Sequence, residues 1–156
     1  MITSVPSLRP AISVATVVAR DGAYLLVEEQ TRAGLRLNQP AGHLESGETP
    51  AEGAVRETLE ESAWRVDVTH LIGIYLWRPP DSEKAYLRFA FAALAREHDG
   101  ARPLDTGIVR ALWMTEAEIR AQAARHRSPL VMRCIDDYVA GRRLPMDAIA
   151  QVASSA

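Results

Sequence analysis

Residues 41–64, AGHLESGETPAEGAVRETLEESAW, are the stretch that decides the expected fold and chemistry of this chain. The segment begins in a loop that contains two glycines and continues into a helix. Thr49 is the predicted N-cap, Pro50 occupies the first helical position, and Glu52 completes a capping box. The pattern therefore predicts a loop followed by a helix that ends near Ser62.

Three glutamates lie on one side of this predicted helix. At about 100° per residue, Glu57, Glu60 and Glu61 fall within an arc of roughly 100°. Like charges four residues apart destabilise a helix, and the helix dipole disfavours carboxylates near the C-terminal end. A hard divalent cation removes this conflict, because Mg²⁺ takes carboxylate oxygens and leaves its other positions to water and substrate phosphates. The glutamates therefore predict a Mg²⁺ site, at which Mn²⁺ would be a substitute.

The alternative to a metal site is a solvated helix face, on which Arg56 forms a salt bridge with Glu60 four residues later. Three glutamates on a helix, taken alone, usually form such a face. Two residues upstream decide against it, because Gly42 and Glu48 stand at a fixed spacing from the charged residues of the helix.

The spacing of the glycine and the charged residues resembles the catalytic box of the nudix hydrolases. That box reads Gly, five residues, Glu, seven residues, Arg-Glu, an aliphatic residue, any residue, Glu-Glu, any residue, Gly and an aliphatic residue. The chain matches its glycine and charged positions at Gly42, Glu48, Arg56, Glu57, Glu60 and Glu61. Such matches arise by chance with a probability on the order of 10⁻⁵ in a chain of ordinary composition. The register therefore favours the metal site.

Three positions of the box depart from the family pattern. Thr58 and Trp64 stand where the pattern has aliphatic residues, and Ala63 stands where it has glycine. None of the three would be a metal ligand. Since alanine adopts the left-handed conformation less readily than glycine does, a modest shift of the helix exit is expected.

The resemblance extends beyond the box to the NudJ-type phosphatases of the same family. It rests on LNQPAGHLE (37–45), YLRFAFAAL (86–94) and HRSPLV (126–131), and it covers most of residues 12–149. The resemblance implies an α/β (α+β) fold of the nudix type, an α/β/α sandwich with a mixed β-sheet. It also implies that the box forms a loop-helix-loop catalytic motif.

The resemblance implies an activity as well, the hydrolysis of phosphoanhydride bonds. NudJ-type members release orthophosphate from nucleoside tri- and diphosphates and also accept hydroxymethylpyrimidine pyrophosphate. We expect this chain to act on one of these substrates. Two alternatives stay open: a nucleotide-sugar, ADP-ribose or prenyl pyrophosphatase, and a catalytically idle domain that senses a nucleotide. The idle domain is disfavoured because the box keeps all of its glutamates.

Carried over residue by residue, the family roles assign a function to each matched position. The expected metal ligands are the carboxylates of Glu57, Glu60 and Glu61 and the backbone carbonyl of Ala41. Glu60 is a ligand or the general base, and Arg56 orients the glutamates as part of the catalytic set. Gly42 and Glu48 have structural roles, and Glu48 braces the loop.

Four residues outside the matched positions are expected to contact the substrate. Arginine binds phosphate through two parallel hydrogen bonds, so Arg88 is predicted to hold a phosphate group, with a surface role as the alternative. The other expected contacts are Leu37 and Gln39, on the loop that leads into the box, and His43, which directly follows its glycine.

For several further residues a structural role is favoured over a functional one. Tyr75, Trp77 and Tyr86 would stack on a base, but packing is the favoured role for each. For Asp105 a turn role is favoured over an approach to the metal. Cys134 has apolar neighbours at helical spacing, so it is expected to be inert in the core.

The remaining sequence predicts strands and two further helices. Alternating and β-branched residues predict strands at 12–19, 24–28, 85–95 and 109–114, and one or two strands at 66–77. The Asp21-Gly22 pair and residues 79–81 predict turns. Capping residues predict helices at 115–124 and 128–141. Residues 30–49 are expected to form a long loop.

Composition and charge exclude several other classes of protein. The 156 residues suit one domain, expected over residues 1–156 with a core at about 11–145. The net charge of −2 lacks the basic excess of a nucleic-acid binder. The N-terminus lacks the apolar region of a signal peptide, and no stretch approaches the ~18 apolar residues of a membrane span. With one cysteine there is no intramolecular disulfide. We expect a cytoplasmic monomer whose partner is a small phosphorylated substrate.

Overall fold

A computed structural model of the chain describes residues 7–80 and 82–152. The strands in this part of the chain are β1 (Ala11–Arg20), β2 (Ala23–Thr31), β3 (Gly34–Asn38), β4 (Ala41–His43), β5 (Trp64–Trp77), β6 (Tyr86–His98) and β7 (Ile108–Thr115). The α-helices are α1 (Pro50–Ser62), α2 (Glu116–Ala121) and α3 (Leu130–Val139), with 3₁₀ turns at Ala123–Arg125 and Met146–Ala148. No helix in the described ranges combines the length and the apolar character needed to span a bilayer.

The strands join one mixed sheet. Its order is β3-β2-β1-β6-β5, with β4 paired to β1 and β7 paired to β2. Strands β1 and β6 run parallel, from the pair Ala11–Tyr86 to the pair Val18–Ala93. The other strand pairs are antiparallel. The predicted mixed sheet is confirmed.

Helices cover both faces of this sheet. Side chains alternate between the two faces along a strand. On one face Val14 of β1 and Phe91 of β6 pack with Ala54 of α1. On the other face Val17 of β1 packs with Val131 of α3. The predicted α/β/α sandwich is confirmed, because one strand supplies apolar side chains to both helical layers.

Helix α1 begins where the capping pattern predicts. Thr49 Oγ1 accepts a hydrogen bond from the Glu52 amide at 3.2 Å, and Glu52 Oε2 accepts one from the Thr49 amide at 2.7 Å. At the other end Ala63 has φ 59° and ψ 14°, the left-handed conformation, and donates its N–H to the Leu59 carbonyl at 2.9 Å. The expected shift of the helix exit is therefore wrong. The Asp99 amide donates to the Ala63 carbonyl at 2.9 Å, a tertiary contact that holds the alanine in place.

Thr58, at a box position where the family has an aliphatic residue, finds a polar partner on the sheet. Thr58 and Thr16 of β1 are both fully buried, and their hydroxyl oxygens lie 2.7 Å apart. Thr58 Oγ1 also donates to the Ala54 carbonyl at 2.7 Å. Since a hydroxyl has one proton, Thr16 is the donor between the two threonines. The departure from the family pattern is thus compensated by a second threonine.

The segment predicted as a long loop contains two short strands. Strand β3 pairs with β2 from Thr31–Gly34 to Val27–Asn38, and β4 pairs with β1 through three residues. The prediction of a loop over 30–49 is therefore wrong at these positions. Strands this short carry too little alternation to be recognised without their partners.

The other predicted elements occur with shifted ends. Strand β5 spans the whole 66–77 region as one strand, and the helix predicted over 115–124 ends at Ala121. The Asp21-Gly22 turn between β1 and β2 is confirmed, with φ of 51° and 78° at the two residues. Of the turn predicted at 79–81, Asp81 lies outside the described residues.

Candidate active site

The backbone of strand β4 lies against the side chain of Glu57 from α1. Gly42 pairs with Val14 in the centre of the sheet. A Cβ atom at Gly42 would lie 2.1 Å from Cδ and from Oε1 of Glu57. Only glycine therefore allows the Glu57 carboxylate to lie directly over the backbone of β4. The box glycine is required by this close approach.

Arg56 connects the loop to the carboxylates of α1. Its Nε donates to Glu48 Oε2 at 3.0 Å, and its Nη2 donates to Glu48 Oε1 at 2.6 Å and to the His43 carbonyl at 3.0 Å. Its Nη1 donates to Glu57 Oε1 at 2.8 Å and to Glu60 Oε2 at 3.0 Å. The bonds to Glu48 are the main reason that the pKa of Arg56 is raised and that of Glu48 is lowered. The guanidinium therefore fixes the orientation of two of the three glutamates.

Three carboxylates approach one another closely enough to share a cation. One oxygen from each of Glu57, Glu60 and Asp105 lies within 4.8 Å of the others. Asp105 comes from the connection between β6 and β7, where its amide donates to the Glu60 carbonyl at 3.0 Å. It also accepts the Ile108 amide at 3.0 Å. Asp105 thus has the favoured turn role and also approaches the glutamates, which no local sequence signal reveals.

Glu61 lies beside this group of three, on the cavity side of α1. Its Oε2 accepts the Ala41 amide at 2.9 Å. Burial raises the pKa of Glu61 to about 8, and the negative charges of Glu57, Glu29 and Asp105 act in the same direction. Burial is also the main cause of a raised pKa at Glu57.

A divalent cation fits this set of residues. The carboxylates are acceptors only and crowd one another, and Arg56 neutralises only part of their charge. Raised carboxylate pKa values are those of groups that need additional positive charge to ionise. The Ala41 carbonyl stays a predicted ligand.

A cavity of about 750 Å³ opens next to the glutamates. Glu57, Glu61 and Ala41 line it, and Trp77 and Tyr86 also contribute to its wall. This volume suits a small-molecule ligand. The carboxylate cluster and a ligand-sized space are therefore adjacent.

The expected substrate contacts divide into two groups. Arg88 and His43 line the cavity. Leu37 and Gln39 do not: Leu37 is fully buried in the core under α3, and Gln39 donates its amide N–H to the Val131 carbonyl at 2.7 Å. The expectation is corrected for these two residues. The end of β3 turns them toward α3, which local sequence could not indicate.

The three aromatic residues that were considered for base stacking, Tyr75, Trp77 and Tyr86, differ in their positions. Tyr75 is buried and its hydroxyl donates to Asp137 Oδ2 at 2.8 Å, so it has the favoured packing role. Trp77 and Tyr86 face each other across β5 and β6 with ring centroids 5.8 Å apart, and both line the cavity.

Ser13, Glu29 and Asn38 are among the polar residues of the cavity that sequence reasoning missed. Each has a buried side-chain oxygen without a hydrogen-bond partner. The available signal was weak: Ser13 interrupts an otherwise apolar, β-branched strand, and Asn38 ends a segment that was assigned to a loop.

Comparison with known proteins agrees with this arrangement. The family model described as NUDIX domain matches residues 7–134. Phosphatase NudJ of Escherichia coli (strain K12) and Phosphatase NudJ of Shigella flexneri are each 39% identical over 141 residues, which cover 90% of this chain and 91% of theirs. A solved structure of a NUDIX hydrolase from Nitrosomonas europaea is 48% identical, covers 92% of this chain and 98% of that one, and has a TM-score of 0.90. The chain belongs to the NUDIX family.

Membership confirms the family resemblance that the box indicated, including its NudJ-type character. The chain is a nudix hydrolase. Its loop-helix-loop motif occupies β4, α1 and the start of β5, with Gly42 in β4 and Glu48 in the loop between β4 and α1. In this nudix hydrolase the acidic group of Glu57, Glu60 and Asp105 is a candidate site for the divalent metal on which the family generally depends.

Proposed function

We propose that this nudix hydrolase cuts phosphoanhydride bonds in nucleoside tri- and diphosphates or in related small pyrophosphates such as hydroxymethylpyrimidine pyrophosphate. One observation carries the proposal: Glu57 and Glu61 line the same cavity as Arg88, a buried guanidinium with unpaired N–H groups. Negative groups that suit a cation and a positive group that suits a phosphate therefore face one ligand-sized space.

Mg²⁺ is the proposed cofactor, with Mn²⁺ as a substitute. Its proposed ligands are the carboxylates of Glu57, Glu60 and Glu61 and the backbone carbonyl of Ala41. When bound, the cation supplies positive charge that neutralises phosphate oxygens. The proximity of Asp105 to Glu57 and Glu60 supports a further oxygen donor at this place.

Glu60 is the proposed general base, which accepts a proton from the attacking water. Arg56 donates to Glu60 and Glu57 through the same nitrogen, so it keeps both carboxylates turned toward one point. Catalysis of phosphoryl transfer rests on such positioning and on charge compensation. Arg56 is a positioning residue in this proposal.

Arg88 is the proposed phosphate ligand. Its exposed fraction is 8%, and neither Nε nor Nη1 has a hydrogen-bond partner among the described residues. Burial lowers the pKa of this guanidinium, and the nearby charges of Glu29 and Glu61 supply only part of the compensation that the charged form needs. A phosphate would supply it through paired hydrogen bonds. These facts favour the phosphate role over a surface role.

The similarity to proteins named Phosphatase NudJ supports orthophosphate as the product. A UDP-X diphosphatase structure is 19% identical, a level that supports the shared fold alone. Nucleotide-sugar, ADP-ribose and prenyl pyrophosphates therefore enter as alternatives in the assay. We also propose that the protein is a monomer in the reducing cytoplasm. The buried free thiol of Cys134 agrees with that compartment.

The test is a substrate panel with purified protein and Mg²⁺. It contains nucleoside tri- and diphosphates, hydroxymethylpyrimidine pyrophosphate, ADP-ribose, a nucleotide sugar and a prenyl pyrophosphate. Orthophosphate and pyrophosphate are measured separately, and Glu61→Gln is the control. Orthophosphate from nucleotides that disappears in the control supports the proposal. Hydrolysis of ADP-ribose, a nucleotide sugar or a prenyl pyrophosphate alone would replace the substrate class. Absence of hydrolysis for every substrate of the panel would favour a domain that senses a nucleotide.

A further inference from the structure

Buried polar atoms without a hydrogen-bond partner concentrate in the cavity. Among the described residues, five of seven such side-chain atoms belong to Ser13, Glu29, Asn38 and Arg88, which all line it. Buried polar groups are normally paired, because desolvation without a new partner is unfavourable. A group of them around an open cavity therefore indicates a ligand that supplies the missing partners.

The sheet places these groups next to one another. Ser13 on β1 and Arg88 on β6 are direct register partners. Asn38 ends β3, which pairs with β2, the strand that carries Glu29. Ser13 and Asn38 are each 6% exposed and Arg88 is 8% exposed, so all three are more than nine-tenths buried. Their positions are fixed by strands, which suits a specific binding site.

Glu29 is the charged acceptor of this group. It lies close enough to Arg88 for the two charges to affect each other's pKa, but no hydrogen bond joins them. Arg127 Nε forms an ion pair with Glu29 Oε1 at 3.0 Å. The Arg127 side chain is 53% exposed, so this contact is screened by solvent. Since a carboxylate has about four acceptor positions, Glu29 can accept a further hydrogen bond from a ligand.

We propose that Glu29, together with Asn38, is the specificity-determining part of the site and accepts a hydrogen bond from an N–H or O–H donor on the group attached to the diphosphate. The inference rests on the proposed function, in which Arg88 holds phosphate. Neighbouring groups of one ligand then satisfy the unpaired donors of Arg88 and the acceptors of Glu29 and Asn38. A ligand without a donor at this point leaves the buried Asn38 oxygen without a partner and is disfavoured.

The cavity wall suits a planar group as the carrier of this donor. Trp77 and Tyr86 present rings inclined by 27° to each other, and Pro79 and Pro80 line the cavity beside them. Planar heterocycles stack on such side chains. A heterocycle with an exocyclic amino group combines the ring and the donor, and a ribose hydroxyl is the other source of the same donor.

Matched nucleotides distinguish these sources. ATP against ITP and CTP against UTP exchange an amino group for a carbonyl, and each ribonucleotide against its 2′-deoxy form removes a hydroxyl. The ratios of kcat/KM are measured for the wild type and for Glu29→Gln. We expect the wild type to favour the amino or the hydroxyl member of a pair. Glu29→Gln should reduce that ratio by about 10-fold or more, since it loses a charged acceptor.

Three further variants distinguish a role in ligand recognition from a merely structural role. Arg127→Gln removes the ion pair of Glu29 but keeps the carboxylate, so it should keep the wild-type ratios. Ser13→Ala and Asn38→Ala remove unpaired buried oxygens. Asn38→Ala should reduce the same ratio as Glu29→Gln, and Ser13→Ala should leave Tm unchanged or raise it, which a merely structural role would not do.

The results distinguish a failure of this inference from a failure of the proposed function. Ratios that are the same in Glu29→Gln and in the wild type, with hydrolysis intact, would overturn the role of Glu29 and leave the activity standing. If the wild type hydrolyses none of these nucleotides, the proposed activity fails for them. Dissociation constants of the same pairs, measured by calorimetry in Glu61→Gln with and without Glu29→Gln, then decide the inference: equal constants for the members of every pair overturn it.

Discussion

Arg56 and Glu48 form a two-point ion pair, with Nε 3.0 Å from Oε2 and Nη2 2.6 Å from Oε1. The pair joins the middle of α1 to the loop that precedes it. Because the same guanidinium also contacts Glu57 and Glu60, the position of the loop and the orientation of the carboxylates are coupled. Both partners are largely shielded, with side chains 23% and 15% exposed.

Replacing Arg56 by lysine should therefore affect stability and catalysis together. Arg56→Lys keeps the charge but loses the paired geometry. We expect the free energy of unfolding to fall by about 1.5 to 3 kcal/mol, the usual range for hydrogen bonds to charged groups. Misplaced carboxylates should lower kcat by at least ~10-fold. Denaturant unfolding and steady-state kinetics measure both. Arg120→Lys, which alters exposed pairs with Glu116 and Asp136, is the matched control and should change both far less.

Removal of one carboxylate charge from the proposed metal site should abolish most of the activity. Glu57→Gln and Glu61→Gln are each expected to lower kcat by at least ~10²-fold and to weaken Mg²⁺ binding, since each loses a main charge-stabilising group. Kinetics and metal titration are the measurements. Glu52→Gln on the same helix makes the same charge change and can still complete the capping box, so it should behave as the wild type. Near-full activity in both site variants would refute the ligand assignment.

The stability of the metal-free protein should fall as the pH rises from about 5 to 8. Burial raises the pKa of Glu61 to about 8 in the folded protein, above the value of an exposed glutamate. Between these values the folded state binds more protons than the unfolded state, so its advantage is lost as the pH rises. Tm measured in EDTA across this range tests the sign. The difference in Tm between the wild type and Glu61→Gln should depend on pH; a constant difference contradicts the prediction.

Thr58→Val should destabilise the protein more than Thr16→Val does. In Thr58→Val the buried Thr16 hydroxyl loses its acceptor, which costs about 1 to 3 kcal/mol. In Thr16→Val the Thr58 hydroxyl still donates to the Ala54 carbonyl, so the loss should be smaller. The double variant should recover most of the stability, because no unpaired hydroxyl remains. Chemical denaturation of the four proteins forms the cycle, and additive losses would contradict it.

Ala63→Gly should stabilise the fold by about 0.5 to 1 kcal/mol, because Ala63 has a φ of 59° that costs alanine more than glycine. For a domain of this size the corresponding rise in Tm is about 1 to 4 °C. Thermal unfolding is the measurement, and kcat should not change. Ala117→Gly, at an ordinary position inside α2, is the control and should lower Tm. A lower Tm in Ala63→Gly would mean that the left-handed conformation is not strained.

Local sequence predicted what local interactions cause. The start of α1 follows from Thr49, Pro50 and Glu52, which act within one turn of the helix. The turn between β1 and β2 follows from Asp21 and Gly22 in the same way. Strands β3 and β4 were not predicted, because strands of five and three residues exist only through their pairing with β2 and β1. Pairing of this kind is a property of the sheet and leaves little periodicity in the chain.

The same distinction between local and tertiary causes applies to the candidate site. By itself the sequence determined the family and the helix that carries Glu57, Glu60 and Glu61, because these depend on spacing along one helix and its adjoining loop. Only the tertiary structure decided that Asp105 approaches the glutamates and that Nε and Nη1 of the buried Arg88 have no hydrogen-bond partner among the described residues. It also turned Leu37 and Gln39 into the core. Burial and the proximity of distant residues depend on how sheet and helices pack, and no local pattern specifies them.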